Sequence, residues 1–429
     1  MNGLNEHPLR REIADEIHAR PYAHMRSPVR ITHLVCMASE RSELKAEGNV
    51  AAICARFNTS GPVAGDTHFI VDFGSFRLKW ERHTEFESYT FIQEGGHERP
   101  FDGAAIDLVP ADWVKALPGQ ILVAANVTVE GKAATARSIG EIAEIFEGNT
   151  VTGSQVLDGK ARFWTDHKIH DDGYRRLLVC DDALDQRGLG RLVHRLLEIE
   201  TYRMLAMLAF PLAKKAIPQL AHAEQNLSGI VTRLPHLNDV EDERESLEQL
   251  MALAAEAETI SANTAYRFSA ARAYSDLVER RVRELREERM PPIEMSGNFL
   301  YRRLAPAMST CDNMTRRQET LASRITRASN LLRTRVDIAR EEQNREVLAS
   351  MDKRAQLQFR LQETVEGLSV VAISYYLLGL VSYLAKGLKT FGLAYDPNVV
   401  VSIALPIVLG VVWVGVRRIR RAISERDEQ

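Results

Sequence analysis

Residues 368–385 read LSVVAISYYLLGLVSYLA, and residues 399–416 read VVVSIALPIVLGVVWVGV. Neither stretch contains a charged side chain. Each would form about 27 Å of α-helix, close to the thickness of the hydrocarbon core of a bilayer. Uncharged runs of this length are typical of transmembrane helices, so the pattern predicts two membrane spans rather than two buried core helices.

The charges that flank these two stretches predict their orientation. The short linker KGLKTFGLAYDPN between them favours an antiparallel hairpin. It offers only Lys386 and Lys389, whereas the outer ends of the hairpin carry Lys353, Arg354, Arg360, Arg417, Arg418, Arg420 and Arg421. Lys and Arg are enriched on the cytoplasmic side of membranes, so we expect both termini in the cytoplasm and the linker outside. The N-terminal residues lack the apolar run of a secretory signal, which agrees with this orientation.

The composition excludes some classes of protein. The chain has 429 residues and a formal net charge of −3, which gives no basis for nucleic-acid binding. Its cysteines, Cys36, Cys54, Cys180 and Cys311, are far apart and form no CxxC pair. The spacing argues against a disulfide framework or a zinc knuckle and favours a reducing compartment.

A long helix is predicted ahead of the first span. Residues 307–366 contain neither Pro nor Gly. Apolar residues recur there at three- and four-residue steps, as in Leu321, Ile325, Ala328 and Leu332, and the stripe continues through Val347, Met351, Leu361 and Val365. We therefore predict one stalk helix over residues 297–367, of coiled-coil type. Such a helix cannot bury its stripe alone, so it predicts packing on its own chain or a homo-oligomer.

The remaining sequence divides into a mixed domain and a helical region. Residues 1–182 contain β-rich runs such as VRITHLVCM and ILVAANVTV, together with turn signals at Asp158-Gly159 and Asp172-Gly173. They predict an α+β or α/β domain. Residues 183–292 are rich in Leu, Ala, Glu and Arg, which predicts a helical hairpin region.

Two histidine-containing stretches in the first domain are candidate sites. In NEHPLRREIADEIHARP, Leu9, Ile13 and Ile17 form one apolar face, typical of a short helix that docks on a sheet. The alternative is a ligand-binding role, for which His18 and Arg20 are the candidates. DHKIHDD, residues 166–172, carries possible metal ligands, but a solvated hairpin turn is the simpler interpretation. DQRGLGR lacks the GxGxxG and Walker patterns, and no sequence motif indicates a catalytic triad, so we predict neither an enzyme nor a cofactor.

One helical stripe of the first span combines serines with apolar residues. Ser374, Leu378 and Ser382 recur at four-residue steps, on a helical stripe that Gly367 and Val371 extend. Small residues permit close helix packing. The same stripe is the candidate pore lining if several copies of the chain assemble around it.

Two resemblances add to these predictions. NEHPLRREIADEIHARP, RLLVCDDALDQRGLGRLVHRLLEIETYRMLAMLAFP and LQETVEGLSVVAISYYLLGL resemble the hallmark stretches of a bacterial family of uncharacterised membrane-anchored proteins, domain of unknown function 3422. This resemblance implies attachment to a membrane.

The order of domain, long helix, span, short loop, span and basic tail is also similar to the CorA family of magnesium channels, and NREVLASMDKRAQLQFRLQETVEGLSVVAIS resembles the end of the CorA stalk. That similarity implies a homopentamer, a pore lined by the first span and a divalent cation as cargo. The Gly-Met-Asn signature of CorA is absent, since the corresponding residues read YLAKGLKTFGL.

Together these observations predict a two-span protein of the bacterial inner membrane that associates with itself and passes ions or regulates their passage. The alternative is a cytosolic scaffold or sensor for which the hairpin serves only as an anchor.

Overall fold

A computed structural model describes residues 7–11, 13–14, 22–38, 43–96, 99–132, 137–237, 240–390 and 396–424. The chain divides into two compact units, Met1–Ser329 and Asn330–Gln429. The first unit contains a β-sheet and most of the helices, and the second contains the two apolar stretches.

The first unit is built on one mixed sheet of eight strands. The strands are β1 (Val29–Met37), β2 (His68–Asp72), β3 (Arg77–Arg82), β4 (Phe86–Glu94), β5 (Gln120–Gly131), β6 (Thr152–Val156), β7 (Ala161–Thr165) and β8 (Arg175–Asp181). Their order in the sheet is β2-β3-β4-β1-β5-β8-β7-β6. Only β5 and β8 pair in parallel, and the other neighbours are antiparallel. The central strand β1 therefore pairs with two strands distant from it in sequence.

Helices cover both faces of this sheet. They are α1 (Glu43–Arg56), α2 (Ala111–Lys115), α3 (Ile139–Ile145), α4 (Gln186–Met207), α5 (Ala209–Arg233), α6 (Val240–Leu285) and α7 (Ser296–Thr390), followed by α8 (Pro397–Ser424). On one face, α1 packs over Leu34, Trp80 and Phe91. On the other, α4, α6 and the start of α7 enclose a second core that includes Ile31 and Val127. Successive side chains of a strand point to opposite faces of the sheet, so the same strands contribute to both cores.

The predicted α/β sheet domain, followed by a long helix and a C-terminal helix, is confirmed in outline. The prediction divided the domain from the helical region at residue 182, whereas the compact unit extends to Ser329. The reason is that α4 and α6 share one apolar core with the strands, as Leu192 and Val278 show beside Val179. The β-rich stretch around Gly74 forms three strands, β2, β3 and β4.

The start of α7 packs within the first unit. Leu321, Ile325 and Ala328 of its predicted apolar stripe are buried. Arg317 forms an ion pair with Glu224 of α5, 2.7 Å apart, and Gln318 donates a hydrogen bond to Thr264 of α6 at 2.9 Å. Farther along, Val347, Met351, Leu361 and Val365 are exposed. The predicted coiled coil is therefore not confirmed by the single chain.

The second unit contains two helical stretches that are long and apolar enough to cross a membrane. They are the C-terminal end of α7 and most of α8. Only 11% and 6% of their most apolar segments are buried, so neither is a core helix of the chain. Exposed apolar surface of this extent indicates a membrane or a protein partner.

A single glycine fixes the approach of β5 to β1. Gly119 has a φ of +85°, and a Cβ added there would lie 2.2 Å from the carbonyl oxygen of Met37.

We expect Gly119→Ala to lower the free energy of unfolding by about 2 kcal/mol or more, because both strain and a backbone clash oppose it. Gly74→Ala is the control: its φ is +82°, with no atom within 4 Å of the added Cβ. It should cost only about 1 kcal/mol. Urea unfolding of the full-length protein in detergent measures both, and equal losses would contradict the clash.

Candidate ligand-binding site

A row of polar side chains crosses the sheet where an apolar face is expected. In the register of the sheet, Lys79 of β3 pairs with Thr90 of β4, and Thr90 pairs with His33 of β1. All three are buried, at 4–5% exposure. Glu81 and Ser88 form a second buried pair beside them. Polar residues in strands usually face water, so their burial requires a cover and a partner.

Helix α4 supplies the cover and encloses a cavity of about 260 Å³. His194, Glu198 and Thr201 lie on one side of α4, at helical spacing, and face the strands. Arg281 of α6 completes the wall. We call this space the sheet cavity, and its polar lining consists of His33, Lys79, Glu81, His83, Ser88, Thr90, His194, Glu198, Thr201, Tyr202 and Arg281.

Lys79 is a buried cation of the cavity wall whose ammonium nitrogen makes no directed hydrogen bond. Its ammonium nitrogen lies 2.9 Å from Oε1 of Glu81, and the two side chains are 5% and 7% exposed. The geometry is that of an ion pair, but Nζ makes no directed hydrogen bond. A buried ammonium with unused donors is costly, so this nitrogen has hydrogen bonds to offer to a molecule in the cavity.

His33 is held as a neutral imidazole. Its Nδ1 lies 2.9 Å from Oγ1 of Thr90, and its Nε2 lies 3.2 Å from Oγ1 of Thr201. Burial lowers the pKa of His33 to about 3, with the positive charge of Lys79 and the neighbouring His83 acting in the same direction. His33 therefore links Thr90 in the centre of the sheet to Thr201 of α4.

The opposite wall contains an imidazole and a carboxylate–guanidinium pair. Arg281 contacts Glu198 at 2.7 Å and Glu284 at 3.1 Å. Burial raises the pKa of Glu198, although Arg281 opposes the shift. Burial also lowers the pKa of His194, and Lys79 and His33 add to that effect. At neutral pH, His194 is therefore an uncharged group that can donate or accept a hydrogen bond.

The glycines of DQRGLGR have structural roles at the start of α4. Asp185 caps the helix, since its carboxylate accepts a hydrogen bond of 2.7 Å from the amide of Gly188. A Cβ at Gly190 would lie 2.0 Å from the carbonyl oxygen of Ala23, which is also in the cavity lining. Gly190 thus lets α4 lie close to the segment before β1.

A second buried polar cluster lies on another side of α4. Glu200 pairs with Arg203 and lies 3.6 Å from Arg175 of β8. Burial alone would raise the pKa of Glu200, but the charge of Arg203, followed by that of Arg175, lowers it well below its ordinary value. His167 stacks on Phe299 with ring centroids 4.6 Å apart. Nδ1 of His167 and Nε of Arg203 make no directed hydrogen bond, but the cavity beside His167 and Glu200 is only about 10 Å³ and has no room for an organic ligand.

The stretch DHKIHDD is only partly a solvated turn. Asp166 and His170 are buried and lie 2.9 Å apart, and His170 also contacts Glu147 at 3.1 Å. Lys168, Ile169, Asp171 and Asp172 are exposed, as expected for a solvated turn, whereas the loop folds Asp166 and His170 back onto the protein. Within the described parts of the chain, no group of three or more His, Cys, Asp or Glu side chains is arranged to hold a metal ion.

The other predicted site residues do not meet at the sheet cavity. His18 and Arg20 lie outside the described residues. Leu9 and Ile13 are exposed at 47% and 54%, so the predicted docking of that apolar face is wrong for these two side chains. In α7, Ser374 is buried, whereas Leu378 and Ser382 are partly exposed.

The basic tail of the hairpin is described only in part. Arg417 stacks over the ring of Trp413 at 4.9 Å, and Arg418 is exposed. Arg420 and Arg421 belong to α8 by their backbone, and their side chains lie outside the described part of the structure.

A family model described as "Protein of unknown function (DUF3422)" matches residues 5–423. The chain belongs to this family. The predicted membership is thereby confirmed, and the match gives no support to the similarity with CorA channels. No match was found among curated proteins.

The residues of the sheet cavity were not identified from the sequence. Lys79 and Glu81 alternate with Leu78 and Trp80, a pattern that ordinarily indicates one solvent-exposed face of a strand. The available signal was weak: a His, a Lys and a Glu stand within strands otherwise rich in apolar and aromatic residues. Only the packing of α4 turns that polar face into a buried site.

The pKa of His33 predicts a pH-dependent stability. The part of the stability that is linked to His33 is present above pH 6.5, the ordinary pKa of histidine, and is lost as pH falls toward 3, because the unfolded chain binds the proton first. Between about pH 6 and about pH 4, the wild type should lose up to about 1.4 kcal/mol per pH unit through this group. We expect His33→Gln to remove that part of the loss in urea unfolding experiments. His222→Gln, at an exposed histidine of α5, should leave the loss unchanged. Parallel pH curves for His33→Gln and the wild type would contradict the assignment.

Proposed function

We propose that this protein is a membrane-anchored sensor, in which the sheet cavity binds a small polar molecule and the two C-terminal apolar helices attach the protein to a bilayer. One observation supports the binding role most strongly: the buried Lys79 ammonium borders a 260 Å³ cavity and makes no directed hydrogen bond. This volume is below the roughly 300–1,000 Å³ of drug-sized sites, so the ligand is small.

A path of direct contacts leads from the cavity to the long helix. Arg281 of the cavity wall belongs to α6. Elsewhere along α6, Arg272 pairs with Asp312 of α7 and Thr264 accepts the hydrogen bond of Gln318. A ligand that moved Arg281 would therefore act on a helix packed against α7. This arrangement supports a sensing role, because a ligand shifts an equilibrium only through contacts that differ between two states.

Membrane attachment fits the bacterial inner membrane, with both termini in the cytoplasm, as the flanking arginines predict. The exposed stripe of α7, Val347, Met351, Leu361 and Val365, supports self-association, for which a pentamer is one candidate. The binding role requires neither turnover nor a cofactor.

The binding role can be tested with the full-length protein purified in detergent. Denaturation of the wild type should release a small molecule in near-stoichiometric amount, identified by mass spectrometry. Ser88→Leu, which fills the sheet cavity, should reduce the released amount at least about ten-fold, because the side chain occupies the space of the ligand. Ser60→Leu places the same side chain on an exposed loop and should release the wild-type amount. Equal release from both variants would refute the proposal, as would no release from the wild type together with no binding of a small polar molecule added to it.

Ion passage is the second candidate, favoured by the stripe of Ser374, Leu378 and Ser382 on α7. If the hairpin is only an anchor, replacing residues 368–416 with a foreign two-span hairpin should leave the release of the small molecule unchanged. The ion flux in liposomes should then be no lower than with the native hairpin. If the stripe lines a pore, the native hairpin should conduct, and Ser374→Trp should block the flux while Ser402→Trp on α8 should not.

Native mass spectrometry separates the same two candidates. An oligomer that encloses a central axis is required for the pore, whereas a monomer or dimer would exclude it.

A further inference from the structure

The charges around the sheet cavity indicate which class of molecule it accepts. Five of the lining side chains are basic: His33, Lys79, His83, His194 and Arg281. Only Glu81 and Glu198 are acidic. Each carboxylate already contacts a cation, Glu81 with Lys79 and Glu198 with Arg281. The lining therefore offers a cationic ligand no unpaired carboxylate, whereas the Lys79 ammonium keeps donors that its pair with Glu81 leaves unused.

Three of the basic side chains border one region of the cavity from both of its walls. Lys79 and His33 are joined through Thr90 in adjacent strands, and His194 faces them from α4. Arg281 and Glu198 neutralise each other on the opposite wall, with Glu284 on the outer side of Arg281. Because His33 and His194 are uncharged and Glu81 pairs with Lys79, this part of the cavity offers N–H donors rather than a large net positive charge.

We propose that the ligand of the sheet cavity is a small organic anion whose carboxylate or phosphate group is bound between Lys79 and His194. This inference rests on the proposed binding function and specifies its ligand. The ammonium of Lys79 supplies charge-assisted hydrogen bonds that it does not make in the protein itself. His194 supplies an N–H donor, and the buried hydroxyls of Ser88 and Thr90 border the same space.

Binding of an anion is coupled to proton uptake. Burial lowers the pKa of His194, and the nearby Lys79, His33, Arg281 and His83 add to that effect, whereas Glu198 lies 3.7 Å from its Nε2. An anion beside His194 adds a negative charge that favours the imidazolium. The affinity for a fully ionised anion should therefore rise as pH falls, by up to about ten-fold per pH unit for each proton taken up.

The test uses isothermal titration of the full-length protein in detergent with succinate, inorganic phosphate, neutral succinamide and 1,4-diaminobutane. We expect succinate or phosphate to bind, with succinate binding more tightly at about pH 6 than at about pH 8. A preference for phosphate would identify a phosphorylated ligand, and a preference for succinate a carboxylate. Succinamide or diaminobutane binding as tightly as the anions, or no binding of either anion, would overturn the inference.

Substitutions test whether anion binding depends on Lys79. Lys79→Met should weaken anion binding at least about ten-fold, because it removes the charge that binds the anion. Since that change leaves Glu81 buried without its partner, the double variant Lys79→Met/Glu81→Gln provides a neutral pair that keeps the fold. Lys215→Met, on the exposed face of α5, should bind like the wild type. Wild-type affinity in a folded double variant would overturn the inference.

A failure of the anion assignment can be distinguished from a failure of the proposed binding function. If the molecule released from the purified wild type is neutral or cationic, the sheet cavity is a binding site and the anion assignment alone is wrong. If no molecule is released and no probe binds, the binding function itself is wrong.

Discussion

The close packing of α4 on the sheet is the contact on which the rest of the first unit depends. It is permitted by Gly190, where any side chain would collide with the carbonyl oxygen of Ala23. The helix buries Leu192 and Leu196 against β-strands, and α6 and the start of α7 join the same core. Because one helix contacts strands and later helices together, the sheet domain and the helical region form one compact unit. The same contact encloses the polar residues of β1, β3 and β4.

The buried charges of this unit fall into two groups with different energetics. Around Glu200, guanidinium groups compensate the carboxylate, which holds its pKa low. In the sheet cavity, Lys79 lacks a directed hydrogen bond, and His33 and His194 are neutral because burial and neighbouring positive charge disfavour their protonation. A buried charge such as that of Lys79 contributes little to stability and is costly to retain. The position of Lys79 beside the sheet cavity is therefore better explained by a role in binding a ligand than by a role in stabilising the fold.

The helix α7 connects the two units by its own continuity along the chain. Its first part is held by Glu224 of α5 and Thr264 of α6, and its last part is one of the two stretches apolar enough to cross a membrane. Between them, apolar side chains such as Met351 and Leu361 remain exposed. A single chain leaves this segment without a cover, which is the physical reason to expect self-association or a partner protein there.

The sequence by itself determined the two apolar stretches, the long helix and most strands, because uncharged length and hydrophobic periodicity are local properties. It also determined the family, through residues that match over 5–423. Only the tertiary structure decided the site. Lys79 and Glu81 have the alternation of an exposed strand face, and His33 meets Thr201, 168 residues away in the sequence, only after folding. Burial of a polar side chain depends on which distant element covers it, and no local pattern encodes that cover.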